Sequence, residues 1–248
     1  MDLYDPELYD RLWSQEWQTL QAIGPLTHNR YRLMLRELPP SLPPGSRIID
    51  VGCGNGSFLE ILRKRYPEAV LCGVEYSQQG RQAAIDDIRK FIQVGDIVEV
   101  APRLATEPYD IVICTEVLEH LPDPRRALDA IVSLLKPGGL ALLTVPGGMR
   151  YWSKQDEAAG HYLRFEYDEF ASLVNDSGLQ IEQHYGWGGP FGLIYYHMIS
   201  LVGPDRVMRT GDSLLSRIVS KMLLILFRFD DFFCSPYGFQ LVTKARRS

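Results

Sequence analysis

The chain has 248 residues, 46% of them hydrophobic and 23% charged, which rules out a disordered polymer and provides for one large core or two small ones. Its 31 acidic residues outnumber 26 basic ones for a net charge of −5, which argues against bulk capture of nucleic acid but leaves room for a local basic patch. Four cysteines, Cys53, Cys72, Cys114 and Cys234, form no CxxC pair, so a reducing compartment is expected rather than a disulfide framework.

In chain order, the first ten residues carry four carboxylates and no basic n-region, unlike a secretory leader. Residues 6–37 read as helical, broken at Gly24-Pro25, and run into the proline cluster Pro39–Pro44. This divides the chain into an N-terminal helical cap, 1–45, and a main domain, 46–248. From Arg47 onward, apolar runs alternate with helical segments. Ile48–Val51, Val70–Glu75, Phe91–Val94, Tyr109–Thr115 and Leu140–Val145 read as strands. The helices expected between them are Phe58–Tyr66, a segment through about Lys90, and Pro124–Leu135. Continuous apolar strands separated by helices indicate an α/β protein whose parallel sheet is covered on both faces. Further on, Tyr167–Ser177 reads as a helix stopped by Gly178, and Leu179–Tyr185 and Gly238–Thr243 as strands able to pair antiparallel at a sheet edge. Residues 186–237 between them form an insertion rich in Gly, aromatics and Met. The longest apolar run, Met222–Phe227, is too short to span a bilayer, and a cytoplasmic protein is expected.

The first strand leads into Asp50-Val51-Gly52-Cys53-Gly54-Asn55-Gly56-Ser57. Glycines here permit a tight turn and close approach of a ligand to the backbone. A dinucleotide fingerprint requires glycine where Ser57 stands, and Asp50 would repel a pyrophosphate. A nicotinamide-dependent oxidoreductase is therefore disfavoured. Asp50 suits a ligand carrying positive charge, and Glu75, at the end of the second strand, can accept both hydroxyls of a ribose.

Together, IIDVGCGNGSFLEIL, VLCGVEYS, VGDI, YDIVICTEVLEHLPDP and LLKPGGLALLTVP resemble class I S-adenosylmethionine-dependent methyltransferases across roughly residues 46–185. The resemblance implies a doubly wound, mostly parallel seven-stranded, Rossmann-like sheet. It also implies that Gly52, Cys53 and Gly54 pack on the methionine portion through backbone, with Asp50 beneath the cofactor. Glu75 would hold the ribose, Asp96 the adenine amino group with the N–H of Ile97 beside it, and Thr115 would border the amino-acid end.

Glu116-Val117-Leu118-Glu119-His120-Leu121 follows the fourth strand. On a helical turn, Glu116, Glu119 and His120 share one face, and two carboxylates with an imidazole share either a proton or a cation. His161 is the candidate fourth member. The E-x-x-E-H turn with a later His resembles the metal site of small-RNA 3′-terminal 2′-O-methyltransferases, and the turn alone resembles ubiquinone-pathway O-methyltransferases. Under that resemblance Glu116, Glu119, His120 and His161 would hold Mg²⁺ or Mn²⁺. The same V-L-E-H-L turn also occurs in methyltransferases without metal, where His120 or His161 would border the site or act as base.

The insertion holds an apolar segment, Ser213–Phe233, interrupted by Arg217, Lys221 and Arg228. A cap helix burying one face on the domain is expected. The alternatives are a lid for a lipophilic acceptor and an interfacial helix in peripheral contact with a membrane. Residues 187–192, Tyr195, Tyr196 and His197 are candidates to line an acceptor pocket, with Trp13 and Trp17 closing it. His184 and His197 read as structural or surface residues, and Lys244–Arg247 as a solvated tail. The reading that results is O-methylation of a small molecule such as a vicinal diol, catechol or sugar, by in-line transfer. N-methylation, RNA 2′-O-methylation and an inactive S-adenosylmethionine-binding protein are the alternatives; the sequence does not set the oligomeric state.

Overall fold

The computed structural model describes Asp10, Trp13 and residues 24–202 and 213–248. Trp17 and the first helical stretch before Gly24 lie outside the described residues. Seven strands form one sheet in the order β3-β2-β1-β4-β5-β7-β6. They are β1 (Arg47–Val51), β2 (Val70–Glu75), β3 (Ile92–Val94), β4 (Tyr109–Thr115), β5 (Leu135–Pro146), β6 (Leu179–Trp187) and β7 (Gln240–Arg247). The first five pair in parallel, and β7 is antiparallel between β5 and β6.

Alternation along the strands produces two cores, because successive side chains leave a strand on opposite faces. Ile49, Val51, Val112 and Cys114 pack on one face with α5 (Ile97–Leu104), α6 (Pro124–Ser133) and α8 (Tyr167–Asp176). Ile48, Ile111, Ile113 and Leu142 face the other side, where α1 (Pro25–Glu37) and α2 (Ser57–Arg65) pack, with α9 (Pro190–Val202) and α10 (Leu214–Phe229) contributing Tyr196 and Phe227. Burial on both faces is why these strands read as continuous apolar runs.

Several boundaries differ from the sequence reading for local reasons. The helix expected through Lys90 is two short ones, α3 (Gln78–Gln82) and α4 (Asp86–Arg89), with the chain extended at Ile85 between them. Strand β5 starts at Leu135, and its Lys136–Gly139 segment is accommodated by a register shift opposite β4. Lys244–Arg247 is not a solvated tail. It completes β7 between two partners, and Lys244 and Arg246 pair with Glu182 at 3.4 and 2.6 Å. Between β5 and α8 lies α7 (Lys154–Ala159), closed by a capping box from Ser153 and Asp156 and ended by Gly160 in the left-handed region.

Candidate active site

The turn after β1 is built by three glycines with φ of 72, 56 and 70° at positions 52, 54 and 56. The N–H groups of Gly52 and Cys53 both donate to Val74 O, at 2.8 and 3.0 Å, which ties the turn to the end of β2. A Cβ on Gly52 would lie 2.2 Å from Val117, and one on Gly54 would lie 2.6 Å from the Trp13 ring. The Cys53 side chain turns inward against Gly73, so only its backbone faces the ligand side.

Asp50, next to last in this strand, is almost fully buried, and its Oδ1 has no hydrogen-bond partner. Burial, reinforced by the Glu75 charge and only partly offset by Arg30, pushes its carboxyl up to about 8. The side chain is therefore an unmet demand for a cationic partner. Glu75 is fixed by backbone: Gly54 N–H donates to Oε2 at 2.8 Å and Ser77 N–H to Oε1 at 2.9 Å. Each oxygen retains acceptor capacity toward a ribose. Asp96 caps α5, accepting from Val98 N–H at 2.7 Å, and Ile97 starts that helix.

The carboxylate–histidine turn departs from expectation. Glu116 has φ of 54°, so the chain leaves β4 in the left-handed region, and only Leu118–His120 forms a 3₁₀ turn. No helical face joins Glu116 to Glu119. The Glu116 carboxylate instead meets Arg30 at 3.3 Å, the Thr144 hydroxyl at 2.9 Å and the Gln240 amide at 3.3 Å. Glu116 is therefore removed from the candidate metal ligands. Glu119, His120 and His161 do come together, each offering a ligand atom within 4.8 Å of the others. Both His120 Nε2 and His161 Nε2 face Glu119 Oε1, at 4.0 and 3.9 Å, and the two rings meet edge to face. Glu119 is fully buried with neither oxygen hydrogen-bonded. Its burial and the Glu116 charge push the carboxyl well above the usual range. Burial and the adjacent His161 hold His120 down at about 3, so it stays a neutral imidazole.

His161 is oriented by α7. Its Nδ1–H donates to Asp156 Oδ1 at 2.9 Å, because a carboxylate can only accept. The same Oδ1 accepts from Arg164 Nε at 2.8 Å, while Oδ2 accepts from Ser153 N–H at 2.8 Å. Burial alone would raise Asp156; the hydrogen bond from His161 and the Arg164 charge overcome it and hold the carboxyl down at about 2. Arg164 then reaches the Tyr196 hydroxyl at 2.6 Å, linking the pair to α9.

All eight residues expected to bind the cofactor line a single cavity of about 370 Å³, together with Glu116, His120 and His161. Glu119 is packed beneath them. Sequence reasoning missed Arg30 and Tyr31 on α1, Asp156 and Arg164. Asp156 was detectable: Ser153-Lys-Gln-Asp156 has the S-x-x-D spacing of a capping box. Trp13 and Tyr196 line the cavity as expected, but Trp187 does not: it is fully buried between Phe227 and Phe239. His184 is structural, bonded to the Thr243 hydroxyl and Tyr167 O at 2.7 and 3.0 Å.

Comparison with known proteins agrees with this geometry. A family model described as a methyltransferase domain matches residues 26–184. The ubiquinone biosynthesis O-methyltransferase of Bordetella avium is 34% identical over 140 residues, covering 55% of this chain and 52% of that protein. The enzyme of the same name from Xanthomonas axonopodis pv. citri is 30% identical over 193 residues, 71% of this chain and 78% of that protein. Against the Bordetella protein, then, the match spans about half of the relative's length. Among solved structures, the N-methyltransferase NodS from Bradyrhizobium japonicum, in complex with S-adenosyl-L-homocysteine, superposes with a TM-score of 0.60 at 16% identity, covering 100% of this chain and 99% of that one. The family model covers more than half of the chain, and the chain belongs to the methyltransferase-domain family with the class I S-adenosylmethionine-dependent fold.

Proposed function

We propose that this protein transfers a methyl group from S-adenosylmethionine to a hydroxyl oxygen of a small molecule, with His161 as the general base. The observation that carries this reading is the Asp156–His161 pair: Nδ1 is committed to a carboxylate at 2.9 Å, which leaves Nε2, 3.9 Å from Glu119, as the nitrogen able to take a proton in a residue that lines the cavity.

The cavity fits the cofactor on its own chemistry. Asp50 Oδ1 is a buried oxygen able to meet a cation, and the glycines of the turn add no side chain of their own to the cavity, where Val117 and Trp13 pack against them. Asp50, Glu75, Asp96 and the backbone of Gly52–Gly54 would hold it, with the N–H of Ile97 and Thr115 at the edges. When bound, S-adenosylmethionine supplies a methyl carbon on an already activated sulfonium. His161 Nε2 accepts the acceptor's hydroxyl proton, and Asp156 stabilises the resulting imidazolium. Holding donor and acceptor in line removes a barrier on the order of 7–11 kcal/mol in favourable cases. Tyr196, Ile199 and Leu26 give the acceptor side an apolar lining, which suits a catechol or another partly lipophilic hydroxyl compound.

A second reading is favoured by Glu119, whose two buried oxygens have no hydrogen bond and face two imidazoles. Glu119, His120 and His161 would hold Mg²⁺ or Mn²⁺, and such an ion would lower the hydroxyl pKa. One experiment separates the two readings: S-adenosylhomocysteine production from a panel of catechols and vicinal diols, with and without chelator. Under the base reading the rate survives chelation, Glu119→Ala is mild, and His161→Ala loses about 10²–10⁴-fold. Loss on chelation that Mg²⁺ or Mn²⁺ restores replaces the base reading with the metal one.

A further inference from the structure

The outer surface of α9 and α10 has no counterpart in the chemistry above. Helix α10 buries one side, where Phe227 packs on Trp187 and Leu223 and Leu224 lie against the same core. Its opposite side is also apolar: Leu215, Ile218, Met222, Ile225 and Phe229 are all exposed, at 70, 47, 60, 59 and 53%. At 100° per residue these side chains fall within one sector of the helix, directly away from the core. Arg217, Lys221 and Arg228, also exposed, line one edge of that sector, and the helix contains no acid. On α9 the exposed residues Phe191, Ile194, Met198 and Leu201 recur every three or four positions, and the helix carries no Asp, Glu, Lys or Arg. Phe191 and Phe229 rings approach to 6.5 Å, so the two stripes join into one patch.

A water-soluble helix turns its apolar side inward and its charges outward; α10 turns apolar side chains both ways and keeps its cations at the boundary. That pattern matches a helix lying in the plane of a bilayer interface, apolar residues in the acyl region and Lys and Arg at the headgroups. Among the described residues no helix is long and apolar enough to cross a membrane. Among the described residues, the acids at the end of α10 do not oppose the surface. Asp231 is paired with Arg32 and Arg36, and Asp230 is buried, accepting from the N–H groups of Phe191 and Gly192. A second copy of the chain fits less well, since it would bring a like row of cations to the patch, where neither described helix carries an acid to meet it.

We propose that α9 and α10 form a docking surface for an anionic lipid bilayer, with both helices parallel to the membrane plane. Helix α9 serves both sides: Tyr196 and Ile199 line the cavity while Ile194, Met198 and Leu201 belong to the outer stripe. Docking thus holds one wall of the active-site cavity at the lipid surface. The docking claim stands independently of the methyl-transfer reading.

The test is co-sedimentation of the full chain with vesicles of phosphatidylcholine alone or mixed equally with phosphatidylglycerol, alongside S-adenosylhomocysteine binding and sedimentation velocity. The expected result is partitioning onto the anionic vesicles that weakens with salt. Met222→Glu/Ile225→Glu should reduce it by about tenfold or more and leave S-adenosylhomocysteine affinity unchanged. Arg217→Gln/Lys221→Gln/Arg228→Gln should remove the preference for anionic over neutral vesicles. No partitioning by the wild type, or equal partitioning by the Met222→Glu/Ile225→Glu variant, overturns the proposal. A dimer broken by that variant, without vesicle binding, assigns the patch to a second copy instead.

Discussion

Asp50 and Asp156 are both buried acids, and their partners send them in opposite directions. Asp156 meets an imidazole, a guanidinium and a backbone N–H, and stays ionised; Asp50 has an oxygen with nothing to accept from and rises to about 8. At neutral pH the free protein therefore holds Asp50 largely protonated. A cationic ligand favours the carboxylate and pulls its pKa down, so binding releases a proton. S-adenosylmethionine affinity should then climb as pH rises toward about 8 and level off above it. Asp50→Asn should flatten that dependence while weakening binding, and calorimetry across this pH range measures both. A wild-type affinity independent of pH would mean that Asp50 does not face the cationic part of the ligand. Glu116 shows the limit of residue-level reading. Its sequence spacing places it with Glu119 and His120, but a single positive φ redirects it to Arg30, Thr144 and Gln240.

At the level of elements, the β1–α2 turn tolerates little substitution. Gly52 combines φ of 72° with a virtual Cβ only 2.2 Å from Val117, on the segment that leads to Glu119 and His120. Gly52→Ala should cost about 2–4 kcal/mol in strain and displacement, and lower both Tm and cofactor affinity. Gly45→Ala, where a Cβ has open space around it, should lower only Tm, and by less, which thermal unfolding with and without S-adenosylhomocysteine would show. The parallel strands and the glycine turn were legible because burial on two faces and positive φ leave residue-type signatures. The turn after β4 was not, because nothing about a glutamate announces a left-handed backbone. Likewise α1 shows a helical pattern but gives no sign that Arg30 and Tyr31 reach a cavity built from strands far along the chain. The α7 capping box was legible as a helix start, yet its second role, holding His161, depends on Gly160 turning the chain back over Asp156.

For the molecule as a whole, the sheet places every candidate group at one end. Strands β1, β2 and β4 deliver Asp50, Glu75 and Thr115 at their carboxyl ends, where open α/β sheets bind ligands. Insertion of β7 between β5 and β6 brings α9 round to this end as well, so Arg164 and Tyr196 connect the Asp156–His161 pair to that helix. The net charge of −5 thus conceals an uneven distribution: acids surround the cavity and three cations edge the α10 surface. Whether this end of the sheet holds S-adenosylmethionine is decided by calorimetric titration with S-adenosylhomocysteine near pH 8. The expected result is saturable one-site binding that Glu75→Ala weakens by about 10–100-fold while unfolding stays cooperative. A folded wild-type protein that binds no S-adenosylhomocysteine would contradict it.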